Sequence, residues 1–204
     1  MKNVFFLFLV ICPTFLIGQT YTFDKAIKCT HNSVGWINLK KTYISNSNES
    51  SYSLHVVKRN EKTTGILYDA TFSKVHFFDV KDSEFKYKHT TLITKYGEDN
   101  VSSYKFNQLG KNKLEFTAFD VNKKRIIKYK MKIKKSETNY FKLISNQILS
   151  ELYFDRNIKV PFNFKISKLT GYMNGGDRFS LKIDKITDVN ISITIPKEEN
   201  LIIF

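Results

Sequence analysis

Histidine is the side chain readiest for acid–base or metal chemistry near neutral pH, and the sequence has His31, His55, His76 and His89. They stand singly, with no H-E-x-x-H and no cysteine pair at zinc spacing beside them. In the segment HFFD, His76 and Asp79 are three residues apart. On a strand an odd offset sends two side chains to opposite faces, so these two cannot share an ion. The pattern predicts structural or surface histidines and no metal centre. Nucleophile motifs are equally thin. There is no G-x-S-x-G to lift a serine toward an oxyanion hole. Ser83-Glu84-Phe85-Lys86 matches S-x-x-K, and Lys62-Thr63-Thr64-Gly65 resembles its companion K-T-G. That chemistry needs Ser and Lys on successive turns of one helix, whereas this lysine lies in an alternating, strand-like run. Cys29 has no recognisable base partner and reads as a small buried residue. The sequence assigns no catalytic residue, no metal ligand and no cofactor.

The densest chemistry is cationic. KKRIIKYKMKIKK, from Lys123 to Lys135, places eight basic residues in thirteen positions without an acid. Alternation sends Lys128, Lys130, Lys132 and Lys134 to one face of a strand and Ile127, Tyr129, Met131 and Ile133 to the other. With the basic turn Lys123-Lys124-Arg125, these lysines form a candidate anion-binding face for anionic lipid, lipopolysaccharide phosphates or acidic glycans. The competing reading is a solvated strand face, or lysines that discourage edge-to-edge pairing. The aromatic interleaving of EFKYKH and YKFN would also suit nucleic acid, but the leader described next argues against that partner.

The chain opens MKNVFFLFLVICPTFLIGQTYTFD. One positive residue, an apolar run from Val4 to Ile17 too short to span a bilayer, and a small residue at Gly18 predict a secretory signal peptide over residues 1–18. Residues 19–204 are then expected to form a single β-rich domain in the periplasm or outside the cell, with no transmembrane helix after the leader is removed. Cys12 falls inside the leader, so only Cys29 remains and no intrachain disulfide is expected. Loss of Lys2 takes the net charge from +14 to +13, which leaves a strongly basic protein.

The elements that must position these residues are strands. Period-two runs with β-branched and aromatic enrichment recur in YTFDKAIKCT, SYSLHVVKR, TTGILYDA, KVHFFDV, EFKYKHTTLITKY, NKLEFTAFDV, KYKMKIKK, FSLKIDKI and VNISITI. About nine or ten strands are expected, as an antiparallel meander sheet or partly open barrel. Tight turns are expected at Asp79–Ser83, at Asp120–Lys124 and at Asn174-Gly175-Gly176-Asp177. Phe-Asp occurs at Phe23, Phe78, Phe119 and Phe154, which suggests an aromatic turned inward at a strand end and an Asp that starts the turn. One segment breaks the rhythm. In SETNYFKLISNQILSELY, Phe141, Ile144, Ile148 and Leu152 share a helical face, with Ser136 or Thr138 as cap, which predicts one short helix packed on the sheet.

An MK-start leader ending in G-Q, then YTFDKAIKCT and Lys/Asn-rich hairpins, resembles small exported proteins of the Bacteroidota. VPFNFKISKLTGYMNGGDRFSLKIDKI is similar to the end of the GLPGLI family of exported β proteins. The stretch corresponding to that family's naming motif reads KISKLTGY, so no residue role carries over. The resemblance implies export and an antiparallel β fold.

Three function classes follow. The first is a non-catalytic envelope protein that binds an apolar or anionic ligand, or another envelope component, on a β surface. The second is an exported hydrolase without a recognisable motif. The third is a small outer-membrane β-barrel, suggested by the strand count and the terminal Phe204.

Overall fold

The alternation becomes strand in the computed structural model, which describes residues 18–49, 51–92, 102–141, 143–144, 158–172, 178–197 and 200–202. Twelve strands form in chain order: β1 (Thr20–Ser33), β2 (Trp36–Ser45), β3 (Tyr52–Arg59), β4 (Lys62–Asp69), β5 (Lys74–Lys81), β6 (Glu84–Leu92), β7 (Ser103–Gly110), β8 (Lys113–Phe119), β9 (Arg125–Lys135), β10 (Phe164–Tyr172), β11 (Arg178–Thr194) and β12 (Leu201–Ile202). All belong to one sheet, ordered β12-β6-β5-β4-β3-β2-β1-β11-β10-β9-β8-β7. Its edges, β12 and β7, have one neighbour each among the described residues, so the sheet is open.

The strand count of nine or ten is corrected to twelve among the described residues. WINLKKTYIS, SYKFNQLG and FKISKLTGY form β2, β7 and β10. FSLKIDKI and VNISITI, read as two strands, are one 17-residue strand, β11. A break is absent because register shifts opposite Phe23–Lys25 and Lys28–Cys29 of β1 let the long strand bend without ending. The pairing is antiparallel except for β12 with β6, which is parallel. Two meanders, β1–β6 and β7–β11, meet where β11 pairs with β1.

The sheet buries apolar side chains on both faces. Consecutive residues show this: Tyr43 joins one cluster with Ile27, Phe116, Tyr129 and Leu181, while Ile44 joins the other with Tyr21, Leu54, Leu67 and Phe78. The first cluster is covered by a helical stretch that includes Tyr140, Phe141, Leu143 and Ile144. Ser45 on β2 donates to the carbonyl of Leu143 at 2.9 Å and so ties that stretch to the sheet. The expected helix therefore begins at Tyr140 rather than after a Ser136 or Thr138 cap, and Leu143, off the sequence stripe, is also buried. Ile148, Leu152 and the Phe154-Asp155 dipeptide lie outside the described residues.

The turns refine the Phe-Asp reading. Asp120 starts the β8–β9 turn, where its Oδ1 accepts from the backbone N–H groups of Asn122 and Lys124. Asp24 accepts from Ser47 at the β1 bulge. Asp79 does not start a turn; it is a strand residue whose carboxylate faces Lys62 and Lys88 at 3.7 and 3.6 Å. The β5–β6 turn is made instead by Asp82 and Ser83, both at positive φ (49° and 68°), the left-handed pair that a two-residue hairpin of matching twist requires. The Asn174–Asp177 turn lies outside the described residues, and the strands flanking it pair through Tyr172 and Arg178.

Candidate anion-binding face

Strand β9 places its lysines as alternation requires. Ile127, Tyr129, Met131 and Ile133 are 4%, 3%, 2% and 4% exposed, while Lys130, Lys132 and Lys134 lie open on the opposite face with Lys123, Lys124 and Arg125 open in the preceding turn. Lys128 is the correction within this set. It is half-buried, because Glu115 on β8 draws its ammonium to 3.1 Å.

Register extends the face beyond β9. Directly paired residues in a ladder point the same way, so the pairs Lys113↔Lys132, Lys132↔Lys168 and Lys168↔Lys182 align one lysine from each of β8, β9, β10 and β11. At about 4.8 Å per strand the row is roughly 14 Å long. It continues through Lys182↔Thr30 and Thr30↔Lys40 onto β1 and β2. Lys28↔Lys185 is a further opposed pair on the same face. Like charges directly opposite one another destabilise a sheet. Among the described residues carboxylates meet the row at its β11 end, where Asp184 lies 3.8 Å from Lys182 and 3.3 Å from Lys40. A hydroxyl hydrogen bond from Thr30 at 2.6 Å, with Lys40 beside it, holds the Asp184 carboxyl below the usual range. Lys113, Lys132 and Lys168 have no ion pair among the described residues.

Three open depressions lie along this surface. One, of about 260 Å³, is lined by Leu109, Lys113, Lys130, Lys132, Lys168 and Thr170 among others. A second, of about 200 Å³, adjoins Lys128, Lys130, Thr170, Gly171, Tyr172 and Arg178. The third, of about 300 Å³, runs from Lys168 and Arg178 to Asn32 and Ser180. Thr170 borders all three. Cationic donors, a hydroxyl and backbone around shallow hollows can hold phosphate or carboxylate oxygens. Sequence reasoning found the β9 lysines and missed Lys113, Lys168, Lys182 and Arg178, because their alignment with Lys132 depends on the partners and register of β8, β10 and β11.

Other titratable side chains are tied into the sheet, and His89, half-buried, stacks on Phe77 at 4.6 Å. Tyr21 donates to Asp69 Oδ2 at 2.5 Å, and Asp69 Oδ1 accepts from the N–H groups of Thr71 and Phe72. With the Tyr21 hydroxyl hydrogen committed to Asp69, His76 Nε2 donates to Tyr21 at 3.1 Å, and Nδ1 faces the Thr90 hydroxyl at 2.7 Å. Tyr21, Asp69, His76 and Thr90 are at most 1% exposed, and their hydrogen bonds fasten β1 across β4, β5 and β6. His55 lies between the rings of Tyr43 and Tyr68, at 5.0 and 4.7 Å, where burial and then Lys41 push its pKa down to about 3. His31 stacks on Phe179, and the same two causes lower it to about 4. Burial, assisted by Asp184, pushes the Cys29 thiol up to about 12, which leaves it unreactive near neutral pH. Among the described residues no three His, Cys, Asp or Glu side chains cluster to hold a metal.

No family model and no curated protein matches the chain. Among solved structures it is similar to a LolA-superfamily protein from Nitrosomonas europaea, at 8% identity over 83% of this chain and 87% of that one, with a TM-score of 0.38. A likeness at this level carries no functional argument. No described helix is long and apolar enough to cross a membrane.

Proposed function

We propose that the protein is a non-catalytic, exported binding protein that holds the anionic groups of an envelope component on its lysine-lined sheet face. The observation that carries this reading is the register Lys113–Lys132–Lys168–Lys182, in which four ammonium groups are opposed across adjacent strands. Such a row costs stability unless counter-charge arrives from outside. Binding on a surface is favoured over a ligand held among the side chains that Phe141 and Ile144 cover, because these are closely buried. Phe116, Phe141, Ile144 and Phe164 show no exposure there. Export rests on the leader sequence of residues 1–18.

The test is salt-dependent retention on immobilised heparin, an acidic glycan. The Lys132→Gln/Lys168→Gln protein should elute at clearly lower salt than the wild type, while Lys58→Gln/Lys62→Gln, on the distant β3–β4 hairpin, should elute with it. Equal elution of the first variant and the wild type would overturn the assignment.

A further inference from the structure

Alternate turns of an antiparallel sheet fall at the same end. The β1–β2, β3–β4, β5–β6, β8–β9 and β10–β11 hairpins therefore all turn at one end of this sheet. They differ in chemistry. The β3–β4 tip is Asn60-Glu61, and the β5–β6 tip is Asp82-Ser83 followed by Glu84, both polar and acid-bearing. The other three are adjacent in the strand order β2-β1-β11-β10-β9-β8, and their described residues include branched or aromatic side chains in the open. Val34 and Ile37 are 68% and 84% exposed at the β1–β2 turn, Val121 is 65% exposed at the β8–β9 turn, and Tyr172 is 55% exposed where β10 ends.

Among the described residues the exposed charge around these tips is positive. Lys123, Lys124 and Arg125 follow Val121, and Arg178 is the ladder partner of Tyr172. The acid of the β8–β9 turn, Asp120, is 7% exposed and spent on the turn's own N–H groups, so it does not offset the cations from the surface. Neighbouring tips are two strands apart, about 10 Å. Separate apolar points at that spacing do not make the continuous apolar centre that a protein interface buries. They match a surface into which each point sinks on its own while cations meet phosphates around it.

We propose that the β1–β2 and β8–β9 tips, with the end of β10 beside them, seat the protein on an anionic lipid bilayer. Val34, Ile37, Val121 and Tyr172 enter the headgroup layer, and Lys123, Lys124, Arg125 and Arg178 pair with lipid phosphates. A tyrosine at the level of the headgroups suits its half-apolar ring. The lysine row on the sheet face is a different set of residues, so the two proposals fail separately.

The experiment is co-sedimentation of the full chain with vesicles of pure phosphatidylglycerol and of pure phosphatidylcholine, in parallel with heparin elution. Wild type should sediment with phosphatidylglycerol and far less with phosphatidylcholine. Val34→Ser/Ile37→Ser/Val121→Ser should lose about tenfold in phosphatidylglycerol affinity and keep its heparin elution. Lys123→Gln/Lys124→Gln/Arg125→Gln should lose vesicle binding to a similar extent. Sedimentation of the serine variant equal to wild type, equal binding to both lipids, or no binding of wild type to phosphatidylglycerol would each overturn the proposal. Loss of heparin retention with vesicle binding intact, in Lys132→Gln/Lys168→Gln, would leave it standing.

Discussion

Lys132 on β9 and Lys168 on β10 are direct ladder partners, both exposed, with no carboxylate paired to either among the described residues. Each is also opposed by a second lysine, Lys113 or Lys182. The arrangement predicts a conflict between folding and binding. Lys132→Gln should raise the free energy of unfolding by about 0.2–1 kcal/mol, because it relieves two opposed pairs at once. The same substitution should weaken polyanion retention. Urea denaturation at low salt measures the first effect, and added salt should shrink it.

Alternation along β9 gives a sharper contrast at neighbouring positions. Ile133 is 4% exposed, and Ile133→Asp would bury an unpaired carboxylate, so the protein should fail to fold or lose on the order of 3–5 kcal/mol. Lys134→Asp, one residue on and facing solvent, should shift stability by about 0.5 kcal/mol or less. Circular dichroism and denaturant melts of the two variants check this.

His55 makes stability depend on pH. Its folded pKa, about 3, lies below the ordinary 6.5, so the unfolded chain binds the proton that the fold refuses. The contribution is complete above pH 6.5 and falls away as pH drops toward the folded value. At about pH 5, before most carboxylates titrate, the loss should be roughly 2 kcal/mol relative to neutral pH. His31, lowered to about 4, adds a loss of the same sign. His55→Gln should flatten much of this slope, as seen in denaturation midpoints measured across that window.

Gly171 is the glycine that the β9–β10 pairing depends on. A Cβ built there would meet Tyr129 Cδ1 at 2.3 Å and the Lys128 carbonyl oxygen at 2.7 Å, since the Tyr129 ring closes over its direct partner. Gly171→Ala should cost about 1–3 kcal/mol. A double-mutant cycle with Tyr129→Leu should return a non-additive coupling, whereas two independent losses would contradict this contact.

What could be read from the sequence is what depends on neighbours along the chain. Alternation in β9 distinguished Met131 from Lys132 without knowledge of any partner strand, and it made the protein mainly β. β2 and β10 escaped because WINLKKTYIS and FKISKLTGY interrupt alternation with adjacent lysines or a serine, and a register shift at Ile166–Lys168 absorbs the irregularity. The lysine row, the Tyr21–Asp69–His76 chain and the common end of the five turns depend on register between distant strands. Lys113 and Lys182 are separated by the whole of β9 and β10, and nothing local in sequence aligns them.

The pairing of β11 with β1 also governs when the fold can form. Thr20 pairs with Thr194 and Phe23 with Ile191, so the first described strand waits for nearly the last before its open edge is covered. Contacts this remote in sequence make folding slow, since the closure entropy is paid before any of the pairing is gained. A chain emerging from its N-terminus can pair β1 with β2 early, but the β11-facing edge of β1 has to wait. That timing leaves one edge of β1 open to pairing with other chains until residues 178–194 arrive.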